Sequence, residues 1–115
     1  MRKSNEPVPW LLFGAGGVVA AFLVPSLVVI TGIAGPAGLL GGALEYERVL
    51  ALVSHPVTKL FLLALISLPL FHWAHRFRFT VMDLGLRASK RAIAVACYGS
   101  AVIGSILGAL IIISL

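Results

Sequence analysis

The sequence predicts an all-α integral membrane protein with three transmembrane helices and a cytoplasmic N-terminus. Hydrophobic residues make up 60% of the 115 residues and charged residues only 11%, with a mean hydropathy of +1.08. A soluble domain of this size needs more polar surface, so the chain belongs in a lipid bilayer as a single membrane domain, residues 1–115. The 9 Lys and Arg residues flank long apolar runs, a pattern that indicates membrane orientation rather than nucleic-acid binding.

The first transmembrane helix is predicted over residues 9–33. Its uncharged run is too long for the hydrophobic region of a cleavable signal peptide. Pro9 fits the first turn, where its missing N–H costs nothing, and Gly35-Pro36 marks the end. Pro25 predicts a kink, which is tolerated if a neighbouring helix or Ser26 satisfies the carbonyl that loses its donor.

A short helix and a second transmembrane helix are predicted next. The charged start of ALEYERVLALVSH, followed by an apolar stretch, indicates a helix at the opposite membrane surface. The second transmembrane helix is predicted over residues 56–77, with Ser54 as its cap and Pro56 in its first turn. Lys59 and Arg76 border its uncharged stretch, so their charged ends must reach the membrane surfaces.

The third transmembrane helix is predicted over residues 92–115, which carry no charge. Small side chains recur in it every four residues, and this stripe is expected to pack closely against another helix. The stripe consists of Ala92, Ala96, Ser100, Gly104 and Gly108. The one cysteine, Cys97, lies in the same helix, so neither an intrachain disulfide nor a Cys-rich metal site is expected.

Basic residues predict the orientation. The N-terminal segment carries Arg2 and Lys3, and the connection between the second and third helices is strongly basic, whereas the connection between the first and second has mixed charge. The basic residues of the second connection are Arg76, Arg78, Arg87, Lys90 and Arg91. The positive-inside rule then places the N-terminus and this connection in the cytoplasm. Trp10 and the His75-Arg76 pair are therefore expected at one depth, on the same membrane face.

Several classes of function are disfavoured by what the sequence lacks. His72 and His75 share a helix face, but the other two predicted spans contain no histidine or methionine, so no haem or metal is expected within this chain alone. Proton-coupled transport uses an ionisable residue near mid-membrane, and the predicted spans carry no acid. No nucleophile elbow or phosphate-binding loop is evident, so the chain is not expected to be an enzyme by itself.

Trp10, His75 and Arg76 are the candidate functional residues, and two interpretations remain open. Aromatic and cationic side chains commonly anchor helices at a membrane surface. The same three side chains could instead bind a quinone, because an indole N–H donates to a ring carbonyl, a guanidinium stabilises a reduced, anionic ring oxygen, and an imidazole relays a proton.

Three stretches of the sequence resemble the D subunit of bacterial quinol:fumarate reductase. They are NEPVPWLLFGAGG at residues 5–17, YERVLA at 46–51, and the spaced motifs LPL, HR and DL within residues 68–84. The resemblance implies a non-catalytic membrane anchor in the bacterial inner membrane. A second three-span anchor subunit, an iron–sulfur subunit and a flavoprotein subunit would be its partners.

The resemblance also implies a ligand. Menaquinol would be oxidised to menaquinone near the iron–sulfur subunit, and its electrons would reduce fumarate in anaerobic respiration. Trp10, His75 and Arg76 match the family residues that lie near this quinol site. The small-residue stripe would then bind the other anchor, and the basic connection would bind the iron–sulfur subunit.

The sequence departs from the family pattern after the His-Arg pair. Family members carry additional histidines there, whereas this chain has Arg78, Phe79 and Met82, so a proton route through those histidines is not implied. Glu6 precedes Trp10 on the solvent side and Asp83 lies beyond the predicted second helix, so the proton acceptor is expected from the other anchor. A stand-alone multi-span protein, such as an exporter component or a scaffold, is the alternative.

Overall fold

The computed structural model describes residues 7–87 and 89–115. Three of its helices are long and apolar enough to cross a membrane, namely Trp10–Ala34, Pro56–Asp83 and Lys90–Ser114. The described residues contain helices and turns but no strand, which confirms the predicted all-α class with three spans. Arg2, Lys3 and Glu6 lie outside the described residues, and the orientation of the N-terminus stays a prediction.

The first helix begins at Pro7 and changes its hydrogen-bonding pattern along its length. It is α-helical over Pro7–Val18 and Val24–Val29, and π-helical over Val19–Leu23 and Ile30–Ala34. The first π turn lies just before Pro25, where a wider turn accommodates the proline ring and its missing N–H. The Ser26 hydroxyl donates to the Phe22 carbonyl at 2.5 Å, and not to that of Ala21, which Pro25 would leave without an α-helical donor.

The short helix, Tyr46–Ser54, leads directly into the second spanning helix. Between them His55 is extended, with φ −69° and ψ 133°. Its Nδ1 accepts the Val57 N–H at 3.2 Å, so His55 and not Ser54 caps the second spanning helix. The Ser54 hydroxyl instead donates to the Leu115 carbonyl oxygen at 3.2 Å, which ties the short helix to the end of the third spanning helix.

The second spanning helix continues past its predicted end at residue 77 to Asp83. Arg76 and Arg78 therefore lie in its last turns and not in a loop, because a charged side chain ends an apolar stretch without ending a helix. The chain reverses at Gly85, whose φ is 102°, and the third spanning helix starts at Lys90. The basic residues still gather at one end of the bundle, as predicted.

The second and third spanning helices pack around small side chains. Ala74, Cys97 and Ala101 are buried together. Gly104 and Gly108 continue this contact, because a Cβ on Gly104 would lie 3.0 Å from Leu70 Cδ1 and one on Gly108 would lie 3.2 Å from Ile66 Cγ2. The thin glycine surface lets the two helices approach closely.

The small-residue stripe therefore does not form one surface for a partner. Gly104 and Gly108 pack within the chain, and the other members are exposed. These exposed members are Ala92, Ala96 and Ser100. An α-helix turns by about 100° per residue, so each four-residue step drifts by about 40° around the axis. The prediction of a single packing face is wrong for this reason.

The first spanning helix meets the second at Gly16 and Gly17. A Cβ on Gly16 would overlap the Leu68 carbonyl oxygen, and one on Gly17 would lie 2.9 Å from His72 Cε1. The two backbones can come this close only because these positions carry no side chain. This contact fixes the start of the first helix against the last turns of the second.

Candidate functional site

Trp10, His75 and Arg76 line one cleft, at the end of the bundle where the second spanning helix finishes. The cleft holds about 400 Å³, and its other lining residues are Phe13, Phe79, Thr80 and Asp83. We call it the Trp10–Asp83 cleft. The structure thus brings together all three residues that the sequence predicted to share a depth.

Helical spacing explains which side chains reach the cleft. Trp10 and Phe13 are three residues apart on the first helix, and Arg76, Thr80 and Asp83 follow one another at intervals of four and three on the second. Side chains at these intervals share a helix face. Two helix faces therefore form the walls, held together by the contact at Gly16.

Aromatic rings surround the imidazole of His75. Ring centroids lie 6.4 Å from Trp10, 4.9 Å from Phe13 and 5.1 Å from Phe79. Trp10 is 66% exposed, so its indole ring is accessible from the mouth of the cleft. The walls offer flat apolar surface, and Arg76, Thr80 and Asp83 add a cation, a hydroxyl and a carboxylate, which suits a planar ring bearing oxygen atoms.

His75 is held from behind by a residue of the third helix. Its Nδ1 lies 2.8 Å from the Tyr98 hydroxyl. The Arg78 guanidinium carbon lies 5.5 Å from the centre of the Tyr98 ring and 4.5 Å from that of Phe79, both within cation–π range. Sequence reasoning missed Tyr98; the available signal was a polar aromatic residue in an otherwise apolar span.

His72 lies in the contact between the first and second spanning helices. It stacks on Phe13 with ring centroids 4.3 Å apart, and its Nδ1–H donates to the Phe13 carbonyl oxygen at 2.9 Å. A carbonyl oxygen only accepts, so this bond places the proton on Nδ1. His72 thus packs against Gly17 and orients Phe13, and it does not line the Trp10–Asp83 cleft.

Asp83 departs from its predicted position. It is the last residue of the second spanning helix and lines the same cleft as Arg76, whereas the sequence suggested that it lay beyond the helix. The added turns carry it there. The cleft therefore contains an acidic group from this chain.

Metal binding has no support in the described parts of the chain, residues 7–87 and 89–115. No three His, Cys, Asp or Glu side chains among them come together in an arrangement that could hold a metal ion. Ring stacking, hydrogen bonding and charge are the interactions that the cleft offers a ligand.

Fold and cleft together define a class of protein: a three-span helical membrane protein with an aromatic, ionisable cleft at one end. Residues 1–113 match the family of fumarate reductase D subunits. The chain belongs to this family, and so is a membrane subunit of an oxidoreductase complex.

Similar proteins in other bacteria bear the same name. The fumarate reductase D subunit of Mycobacterium tuberculosis (strain ATCC 25618 / H37Rv) is 51% identical over 106 residues, covering 90% of this chain and 83% of the relative. Those of Vibrio cholerae serotype O1 (strain M66-2) and Aliivibrio fischeri (strain MJ11) are 38% and 35% identical over 112 residues. Each match covers 96% of this chain, and 85% and 92% of the respective relative.

Proposed function

We propose that this chain anchors the flavoprotein and iron–sulfur subunits of fumarate reductase to the bacterial inner membrane and forms part of the menaquinol oxidation site. It is non-catalytic by itself. The observation that supports this proposal is the convergence of Trp10, His75 and Arg76 on one cleft, in a chain whose family is a membrane subunit of fumarate reductase.

The cleft residues fit the chemistry of a quinol. Menaquinol releases two electrons and two protons and becomes menaquinone; with these, fumarate becomes succinate. The Trp10 indole N–H and the Arg76 guanidinium would hold the ring oxygens by donating hydrogen bonds. The Asp83 carboxylate, at the exposed end of the cleft, would accept a released proton and pass it to water.

The surface fits a chain that works in a complex of four subunits. Lys90 and Arg91 are exposed at the cleft end of the bundle and would face the iron–sulfur subunit. Ala92, Ala96 and Ser100 are exposed on the third helix, where small side chains let a helix of the second three-span anchor approach closely.

Two substitutions test the quinol site. Trp10→Leu and Arg76→Leu should each lower menaquinol-dependent fumarate reduction at least tenfold, since each removes a hydrogen-bond donor, and losing a bond to a charged group costs about 1.5–3 kcal/mol. Reduction by a soluble dye, which bypasses the cleft, should stay unchanged. The measurement is the ratio of the two activities in membranes holding the whole complex.

Matched controls exist in the same chain. Trp73 stacks on Phe77 with centroids 5.1 Å apart and does not line the cleft, and Arg48 lies on the short helix. Trp73→Leu and Arg48→Leu should keep both activities. Equal loss of both activities in the Trp10 or Arg76 variant would indicate failed assembly, and full retention would place quinol binding elsewhere.

Purification separates an anchor from a stand-alone protein. Gentle detergent extraction through a tag on this chain should yield a flavin-containing complex that reduces fumarate. Recovery of this chain alone, from cells whose membranes reduce fumarate, would favour a scaffold or exporter component instead.

A further inference from the structure

We propose that Tyr98 is a positioning residue: its hydroxyl fixes His75 as the tautomer protonated at Nε2, so that the ring presents an N–H donor to the ligand in the cleft. The proposal rests on the quinol site described above. It gives His75 the role of a hydrogen-bond donor to a ring oxygen, and it leaves proton acceptance to another group.

The two nitrogens of His75 face different surroundings. Nδ1 is bonded to Tyr98 at 2.8 Å, and the described residues give Nε2 no protein partner. The imidazole separates the Trp10–Asp83 cleft from a smaller apolar cavity of about 200 Å³, which Tyr98, Leu12 and Phe71 help to line. Since the ring nitrogens lie on different edges of the imidazole, a ring bonded to Tyr98 through Nδ1 has its Nε2 free for a ligand in the cleft.

The direction of the Tyr98 bond sets the tautomer. A phenol can donate to Nδ1 or accept from it. The Arg78 guanidinium lies 5.5 Å from the Tyr98 ring centre, and a cation at an aromatic ring draws electron density from it, which makes the phenol O–H the better donor. Tyr98 then donates, Nδ1 accepts, and the proton of the neutral ring is on Nε2.

This tautomer has a chemical consequence. A neutral imidazole with a bonded Nδ1 and a protonated Nε2 has no free lone pair to accept a proton from menaquinol. His75 then stabilises negative charge that develops on the ring oxygen, and the proton leaves through a different acceptor. Without the Tyr98 hydroxyl, both tautomers become accessible, and part of the population turns a lone pair towards the ligand.

Tyr98→Phe tests the role in catalysis. It removes the hydroxyl and keeps the ring that Arg78 contacts. We expect menaquinol-dependent fumarate reduction to fall about tenfold, the effect of one hydrogen bond, with dye-dependent reduction unchanged. Tyr46→Phe is the matched control at the exposed short helix and should have no effect. His75→Gln should be no more impaired when Tyr98→Phe is added, because Tyr98 acts through His75.

Nitrogen NMR reads the tautomer directly. In membranes holding the complex labelled with ¹⁵N-histidine, the His75 signals are those absent from His75→Gln. Wild type should show an unprotonated Nδ1 and a protonated Nε2, and Tyr98→Phe should show a mixture. A protonated Nδ1 in wild type, or the same tautomer in Tyr98→Phe, would overturn the proposal.

The two proposals fail separately. The NMR measurement requires no quinol turnover, so it decides the tautomer even if Trp10→Leu and Arg76→Leu leave quinol oxidation intact and the quinol site is lost. If the tautomer is as expected but Tyr98→Phe keeps full menaquinol activity, the positioning role is overturned while the quinol site stands.

Discussion

Asp83 is the acidic side chain of the Trp10–Asp83 cleft, and its position depends on helix length. The second spanning helix would have ended at residue 77 if its boundary followed the apolar stretch. Because the helix continues to Asp83, that carboxylate lies on the same face as Arg76 and Thr80. A carboxylate that is both on the cleft wall and exposed can exchange protons with water.

Asp83→Asn should lower menaquinol-dependent fumarate reduction at least tenfold, because the amide cannot accept a proton and a positioned base contributes about 10²–10⁴-fold. Dye-dependent reduction should not change, and Asp83→Glu should recover most of the activity. Glu47→Gln, on the short helix, is the control. Wild-type menaquinol activity in Asp83→Asn would assign the base to the partner anchor, as the sequence alone suggested.

Trp10, His75 and Arg76 could be chosen from the sequence because depth in the membrane follows from charge and hydropathy. Phe13 and Tyr98 could not, since their selection depends on how each helix is rotated about its axis. That rotation is set by packing at Gly16 and around Ala101, which hydropathy does not report.

The glycines of the first helix differ in what surrounds them. Gly14 has open space where a Cβ would be, whereas a Cβ on Gly16 would overlap the backbone of Leu68 and lie 2.8 Å from His72 Cβ. The sequence FGAGG alone does not distinguish them. Only the contact between the helices shows which glycine is required.

Gly16→Ala should therefore push the first helix away from the second, at a cost of about 1–3 kcal/mol for an overpacked contact. Trp10 would move relative to His75, and menaquinol-dependent activity should fall more than dye-dependent activity. Gly14→Ala should be neutral or slightly stabilising, because alanine favours a helix by about 1 kcal/mol over glycine. Equal behaviour of the two variants in complex yield and quinol activity would argue against this contact.

The small-residue stripe shows why element-level prediction was only partly successful. Its spacing correctly indicated close packing of the third helix, and Gly104 and Gly108 do pack closely. Their partner, however, is the second helix of the same chain. A spacing pattern reports that a surface is thin, but it does not identify the helix that covers it.

The orientation of the whole molecule is predicted by charge alone. Net charge is +5, and the basic residues of the described chain concentrate at the cleft end. The rule that cytoplasmic segments are basic then places the cleft at the cytoplasmic face, where the soluble subunits would be. The turn containing Leu39, which is 75% exposed, would lie on the opposite side.

A cysteine at that turn tests the orientation. In a Cys97→Ser background, Leu39→Cys should react with a membrane-impermeant maleimide in right-side-out vesicles and be protected in inverted ones. Detergent-opened vesicles provide the reference for full reaction. Labelling in inverted vesicles alone would reverse the proposed topology and remove the cleft from the cytoplasmic face.

The bond between His75 and Tyr98 also bears on the order in which the protein is made. The cleft walls come from the first two spanning helices, but the hydroxyl that holds His75 comes from the third, which is translated last. A nascent chain with two inserted spans would thus contain Trp10, Phe13 and His75 without their support. Ligand binding would mature only after the final segment enters the bilayer, which protects an unfinished chain from engaging quinol prematurely.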